Sequence, residues 1–304
     1  VRCTQARMKS YQLSGTLLML LISGSSILAA DPEMSVRPTA KTSSNGAIFP
    51  EKALQENPWE NSLGMRFVPV SGTDVLFSML ETRRQDYEAY AKAISWVDGT
   101  WKTEEYYGVA VGREADHPVV SVSWDDAQGF CWWLTEKERR EGKLSSGQRY
   151  RLPLDWEWSA AVGLEEGREG SPREKHWKIK DVYPWGKGYP PPKGAENYND
   201  ESFRLKLPTD SSVGGPIKAC EVCATTSPVG SYRANEKGLH DMGGNVWEWC
   251  EDWYTPSRYS RVLRGASWHD NGRSPLMSSW RRGGAPTFRS HEFGFRVVLA
   301  GVYY

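Results

Sequence analysis

A chain of 304 residues with 38 basic and 38 acidic side chains has room for one large domain or two small ones and carries no net field. Zero formal charge excludes the electrostatic footprint that captures nucleic acid or an acidic membrane surface, so a partner must be recognised by shape and local chemistry. Fifteen tryptophans, 29 glycines and 18 prolines point to a core of aromatic rings, whose ring N–H groups need acceptors, joined by long ordered loops.

At the start, Arg7 and Lys9 precede an apolar run from Leu17 to Leu28, and Ala29 and Ala30 offer small residues for cleavage before Asp31. This is the pattern of an export signal over 1–30. The run is short for a membrane span and is interrupted by Ser23, Gly24, Ser25 and Ser26. The expectation is an exported protein, periplasmic or extracellular, with no stable membrane insertion after cleavage. Residues 31–57, rich in Pro, Ser, Thr, Lys and Ala, read as a flexible linker, and one folded domain is expected over 58–304.

Within that domain, Met65 to Val70 alternates like a strand and stops at Ser71-Gly72. Tyr87, Tyr90, Ala91 and Ile94 recur at helical spacing, which predicts a helix over 82–94 with Thr82 as a possible N-cap. His117 to Trp124 reads as a short strand entering a turn, and Asp125 to Arg140 as an amphipathic helix with Ala127, Phe130, Cys131 and Leu134 on one face. A further short helix is predicted after Pro153, with Asp155 as its N-terminal acid. From Gly163 to Pro228 no periodic run is long enough for a helix. Short strands are predicted at Val246–Trp249, Val262–Arg264 and Phe293–Leu299.

Loss of the signal leaves Cys131, Cys220, Cys223 and Cys250, an even number that permits two disulfides in an oxidising compartment. Cys220 and Cys223 have the spacing of a loop staple. No second Cys-x-x-Cys or helical His pair accompanies them, which argues against zinc. Cys131 and Cys250 stand beside tryptophans and suit buried thiols at least as well as bonded ones. The chain has no Gly-x-Ser-x-Gly elbow and no phosphate-binding loop, so hydrolase and nucleotide readings lack a motif.

Eight blocks in order carry a resemblance: 65–70, 118–127, 150–157, 183–186, 227–230, Gly238-Leu-His-Asp-Met-Gly-Gly-Asn-Val-Trp-Glu-Trp249, 261–268 and 294–298. In this order they resemble the sulfatase-modifying-factor family, whose best-known member is the formylglycine-generating enzyme. The resemblance implies an α+β fold of the C-type-lectin-like kind, loop-rich, with short strands and few helices. It also implies structural calcium. One site would use the side chains of Asp241 and Glu248 and the carbonyls of Gly244 and Val246. A second would use Asn197, the Tyr198 carbonyl, Glu221 and the Cys223 carbonyl. Several oxygens around glycine-turned backbone suit a hard cation.

The enzyme of that family holds copper on two cysteines, at the positions occupied here by Asp270 and Pro275. Neither is a soft ligand, so copper and formylglycine generation by that route are not expected. Ser267 matches the family's active-site serine, though a serine after two small residues also suits a turn. His269, Asp270 and His291 would supply two imidazoles and a carboxylate, a set suited to iron, although their spacing does not enforce it. Trp268, Arg273, Trp280, Arg281, Arg282 and Arg289 lie in a Gly- and Pro-rich stretch with the residue types that anchor interfaces, or else hold the loop through its own carbonyls. Two functions follow from the resemblance. One is a scaffold binding a peptide or protein partner through residues 268–292, with a sulfatase-like protein as the partner class the resemblance offers. The other is an oxidoreductase using a non-copper metal at the same face.

Overall fold

The structure is a computed structural model and describes residues 50–207 and 223–301. It begins with strands β1 (Trp59–Glu60), β2 (Arg66–Pro69) and β3 (Val75–Ser78), followed by helix α1 (Arg84–Ala93). A hairpin of β4 (Glu105–Tyr106) and β5 (Val109–Ala110) precedes helix α2 (Trp124–Arg140), β6 (Arg149–Arg151) and α3 (Asp155–Val162). The irregular middle holds α4 (Pro172–Lys175), β7 (Val182–Tyr183), β8 (Gly186–Lys187) and α5 (Glu201–Lys206). Strands β9 (Trp247–Trp253), β10 (Arg261–Arg264), β11 (Arg282–Gly284), β12 (Phe293–Phe295) and β13 (Val298–Ala300) follow.

Two sheets organise these pieces, one in the order β1-β2-β3-β13-β6 and the other β11-β10-β9-β12. The first sheet is covered on both faces, and the two-residue side-chain period sorts its residues between them. Phe67, Leu76 and Leu299 enter one apolar cluster with Tyr87, Phe130 and Trp249. Their neighbours Val68, Phe77 and Val298 enter a second cluster with Trp158, Val262 and Cys250. Alternation therefore builds two cores from one sheet, and this is the α+β arrangement expected for the family.

The last predicted strand is broken. Phe293–Phe295 runs parallel to β9 in one sheet, while Val298–Ala300 lies between β3 and β6 in the other. Arg296 stands at the crossing and reaches Glu248 of β9 with Nη2 to Oε1 at 2.7 Å.

Helix α2 begins one residue before its expected start, at a capping box in which the Ser123 hydroxyl accepts from the Asp126 amide at 3.1 Å and Asp126 accepts the Ser123 amide at 2.8 Å. Helix α1 is capped by Arg83 and not by Thr82. The backbone of Thr82 is committed elsewhere, donating to Phe295 and accepting from Val119, which fixes it outside the helix. The expected strand at 117–124 is reduced to one bridge between Pro118 and Arg83. Proline has no amide to extend a ladder, and the next residues bond to loops. The 163–228 stretch contains the short helices α4 and α5, each stabilised by its surroundings and too short for periodicity to reveal.

The linker boundary expected at 57 also moves. Pro50 to Lys52 form a 3-10 turn, Ala53 is buried, and Gln55 donates to the Glu236 carbonyl at 3.1 Å. Alanine and proline bury cheaply because little side-chain entropy is lost, so a stretch read as linker by composition can still pack. The export signal and Cys220 lie outside the described residues. Cys131 and Cys250 are buried, unbonded thiols. Burial pushes both thiols above their ordinary range, which keeps them protonated. Among the described residues no helix is long and apolar enough to cross a membrane.

Candidate functional site

The site forms where β10 ends. Gly265 and Ala266 take positive φ, 98° and 65°, which turns the chain sharply so that residues 267–270 double back beside β9. Trp268 then donates its amide to the Asn245 carbonyl at 2.9 Å. Asp270 closes the turn. Its Oδ2 accepts from the Ser267 amide (2.9 Å), the Ser267 hydroxyl (2.7 Å) and the Trp247 ring N–H (2.9 Å). Desolvation, with the Glu292 charge as the next cause, raises the Asp270 carboxyl to about 6 despite those donors. Ser267 is fully buried and serves this turn. The positions of a soft-metal pair therefore carry a hydrogen-bonded carboxylate at 270 and a ring carbon at 275.

His269 and His291 come together, with ring centroids 6.2 Å apart. The carboxylate between them is Glu292 and not Asp270. Glu292 Oε1 lies 3.2 Å from His269 Nδ1 and 3.8 Å from His291 Nε2. The expected iron set is thus corrected: Asp270 Oδ2 is engaged by Ser267 and Trp247, and the carboxylate in contact with the imidazoles is that of Glu292. Among the described residues no three His, Cys, Asp or Glu side chains form a group able to hold a metal ion. Arg282 Nη1 holds the other Glu292 oxygen at 2.7 Å. Although burial opposes it, His269 and Arg282 keep the Glu292 carboxyl below its usual range, so it is ionised. His291 is pushed down by desolvation and is neutral near pH 7.

On the other side of His269, the Tyr106 hydroxyl lies 3.0 Å from Nε2. Tyr106 packs its ring against Trp268, His291 and Phe203. Neither Tyr106 nor Glu292 was singled out by sequence, because β4 is two residues long and Glu292 lies in no motif. Only the fold brings positions 106, 269 and 292 together.

The expected ligand face divides in two. Arg281 is 1% exposed and holds Asp155 at 2.9 Å and also Glu166, while the neighbouring Arg264 holds the other Asp155 oxygen at 2.6 Å. These two guanidinium groups outweigh the burial that would raise it and depress the Asp155 carboxyl. Arg281, expected on the ligand face, instead pins the loop to α3 and is buried away from any ligand. Trp268 is likewise buried, its ring N–H donating to the His291 carbonyl at 3.2 Å. Arg282 and Arg273 are exposed, and Arg289 is partly exposed. Arg289 grips Asp126 of α2 at 2.8 Å, and Arg273 holds Asp181 at 2.8 Å. Trp280 is half-buried against His176 and Trp177, with centroids at 4.4 and 4.9 Å.

The residues expected to hold calcium lie partly around the 241–246 turn, where Gly244 donates its amide to the Gly265 carbonyl at 2.7 Å. Asp241 and Asn197 are at most 1% exposed, and Asp241 Oδ1, Asn197 Oδ1 and the neighbouring Glu196 Oε2 have no hydrogen-bond partner among the described residues. Buried oxygens without donors fit a hard cation. Asp241 Oδ2 accepts the Gly230 amide at 2.6 Å. Glu248 is already paired with Arg296 and accepts the Trp158 ring N–H at 2.8 Å, so its carboxylate is committed to protein donors. Gly244, at φ 82°, packs so closely on the Asn197 carbonyl that a Cβ there would collide with it. Val246 and Tyr198 are buried in the same wall, and the Cys223 residue is half-buried. Glu221 lies outside the described residues. Burial and mutual repulsion raise Glu81 and Glu196, and burial raises Asp241 to about 6, with Arg296 as their shared counter-charge.

Comparison with known proteins places the chain in a family. The chain is 28% identical over 216 residues to the formylglycine-generating enzyme of Streptomyces coelicolor, covering 65% of this chain and 57% of that protein. It is 30% identical over 206 residues to the inactive C-alpha-formylglycine-generating enzyme 2 of Bos taurus, covering 65% of this chain and 55% of that protein. The chain thus spans little more than half the length of these relatives. Among solved structures, PvdO from Pseudomonas aeruginosa superposes with a TM-score of 0.50 at 23% identity, over 83% of this chain and 87% of that one. CarF superposes with a TM-score of 0.50 at 20% identity, over 77% and 87%. These two likenesses are of fold. The sulfatase-modifying factor enzyme 1-like domain matches residues 50–300, and the chain belongs to that family.

Proposed function

We propose that this protein is an exported, non-copper member of the family that binds a peptide or protein partner through the 268–292 face. The observation that carries this reading is Asp270. Its carboxylate is consumed by Ser267 and Trp247, so the place where the family's enzyme holds a soft metal is here a structural turn. The exposed or partly exposed residues of this stretch are Arg273, Arg282 and Arg289, each paired with an acid that a partner's carboxylate would replace, together with Trp280 and the 52%-exposed Phe288. Three guanidinium groups around aromatic rings favour an acidic segment with an apolar anchor. A sulfatase-like protein is the partner class suggested by the likeness to an inactive formylglycine-generating enzyme.

Calcium supports the scaffold in this proposal. Asp241, with the Gly244 and Val246 carbonyls, would hold one ion and Asn197, with the Tyr198 and Cys223 carbonyls, a second, in hard oxygen ligation that fixes the loop backing the face. The test is calorimetric titration with a purified sulfatase. Binding should weaken at least about tenfold when Arg282 and Arg289 are both replaced by alanine, since two interfacial charges are lost. Undiminished binding by the double variant, or none by the wild type, would sink the reading.

A further inference from the structure

The chain Glu292–His269–Tyr106 has the arrangement of a nucleophile, a base and a group that orients the base. His269 Nδ1 faces the Glu292 carboxylate at 3.2 Å, so in the neutral imidazole the proton belongs on Nδ1 and Nε2 is left as the acceptor. The Tyr106 hydroxyl, 3.0 Å from that Nε2, is the donor. Arg282 fixes the second Glu292 oxygen and stops the carboxylate from rotating away. A phenol is a weak nucleophile until a neighbouring base accepts its proton, and an oriented imidazole does this in many folds. The side chains of His269 and Glu292 are 21% and 12% exposed, so the group opens to solvent at the edge of the 268–292 face. Trp268, Phe203 and His291 fill the space around the Tyr106 ring.

We propose that Tyr106 is an activated phenol which accepts an acyl group from an ester-type substrate, with His269 as its general base and Glu292 as the positioning residue. In this step the Tyr106 oxygen attacks the carbonyl carbon and an O–C bond forms. The phenolic proton passes to His269 Nε2, the Glu292 carboxylate stabilises the imidazolium, and the ester's alcohol leaves with that proton. Hydrolysis of the tyrosyl ester by water, with His269 again as base, restores the phenol. The activity is independent of whether a protein partner also binds this face.

The protein supplies its own controls. Tyr107 packs edge-on to Tyr106 with centroids 4.8 Å apart and is 65% exposed, while Tyr259 is 79% exposed. The probe is p-nitrophenyl acetate, with nitrophenolate release followed by absorbance and acetyl positions mapped by mass spectrometry after an acid quench. Tyr106 should be acetylated faster than either exposed tyrosine. Replacing His269 with Phe should slow Tyr106 about a hundredfold relative to Tyr259, in the range expected for a lost general base. E292Q, which keeps shape and removes charge, should slow it by about tenfold through the base alone. Y106F should remove the site and leave labelling of Tyr259 unchanged. Tyr106 labelling no faster than Tyr259 in the wild type overturns the proposal, as does acetyl accumulating on His269 in its place. Equal ratios in wild type, H269F and E292Q would remove His269 and Glu292 from the mechanism.

Discussion

At Asp270 and Arg281 the same loop makes two opposite uses of burial. The Asp270 carboxyl is raised to about 6 by desolvation and by Glu292, whereas an unperturbed aspartate titrates near ~3.9. Between those values the folded protein holds a proton that the unfolded chain has lost. The contribution of Asp270 is therefore fully present below about pH 4 and is lost as pH rises through about 6. Wild-type protein should lose stability relative to Asp270→Asn across that interval, read as urea midpoints at pH 4.5 and 7; an identical gap at both pH values would contradict this account. Arg281 instead sits in a buried ion-pair group with Asp155 and Glu166. Arg281→Ala should destabilise the fold by about 3–5 kcal/mol, because the acids are left without one of their counter-charges. Normal chemical denaturation combined with lost partner binding would return Arg281 to the surface. Sequence put Asp270 and Arg281 in one suggestive segment, but their burial depended on what lies opposite.

Helices α1 and α2 illustrate what is legible at the scale of an element. The α2 start was readable to within one residue because apolar spacing is local, and the Ser123–Asp126 capping box that fixes it was found in the structure. Its functional consequence was not. Asp126 closes the capping box and also accepts both guanidinium arms of Arg289, at 2.8 and 3.0 Å, so one carboxylate ties the helix terminus to the proposed face. Ser123→Ala should lower stability by about 1 kcal/mol and leave partner binding intact. Asp126→Ala should match that loss and in addition weaken binding by releasing Arg289. Calorimetry beside thermal melting separates the two, and equal binding by both variants would argue against the link. Thr82 failed as a cap for the converse reason: its backbone is claimed by Phe295 and Val119, residues far along the chain. The final strand divided at Arg296 because its two halves find partners in different sheets.

For the whole molecule, the buried Asp241 and Asn197 oxygens without donors among the described residues would make the fold gain from the cation proposed above. Calcium saturating at about a hundredfold its dissociation constant would add about 2.7 kcal/mol. Chelation should accordingly lower the melting temperature by several degrees, on the order of 2–4 °C per kcal/mol for a domain this size. Asn197→Ala with Asp241→Asn should remove that response, and a melting curve indifferent to both chelator and calcium would exclude the cation. The sequence by itself determined the family, through eight blocks in register, and with it the α+β class, the aromatic core and the lack of thiolates at 270 and 275. It could do so because apolar period, glycine turns and block order are written locally along the chain. Only the tertiary structure decided that Glu292, and not Asp270, stands between the histidines, that Tyr106 meets His269, and that Arg281 is buried. Those facts depend on which side chains the two sheets and the 265–270 turn bring into contact across more than a hundred residues. The sulfur-free turn beneath that contact is held by Asp270, whose carboxylate is occupied by Ser267 and Trp247.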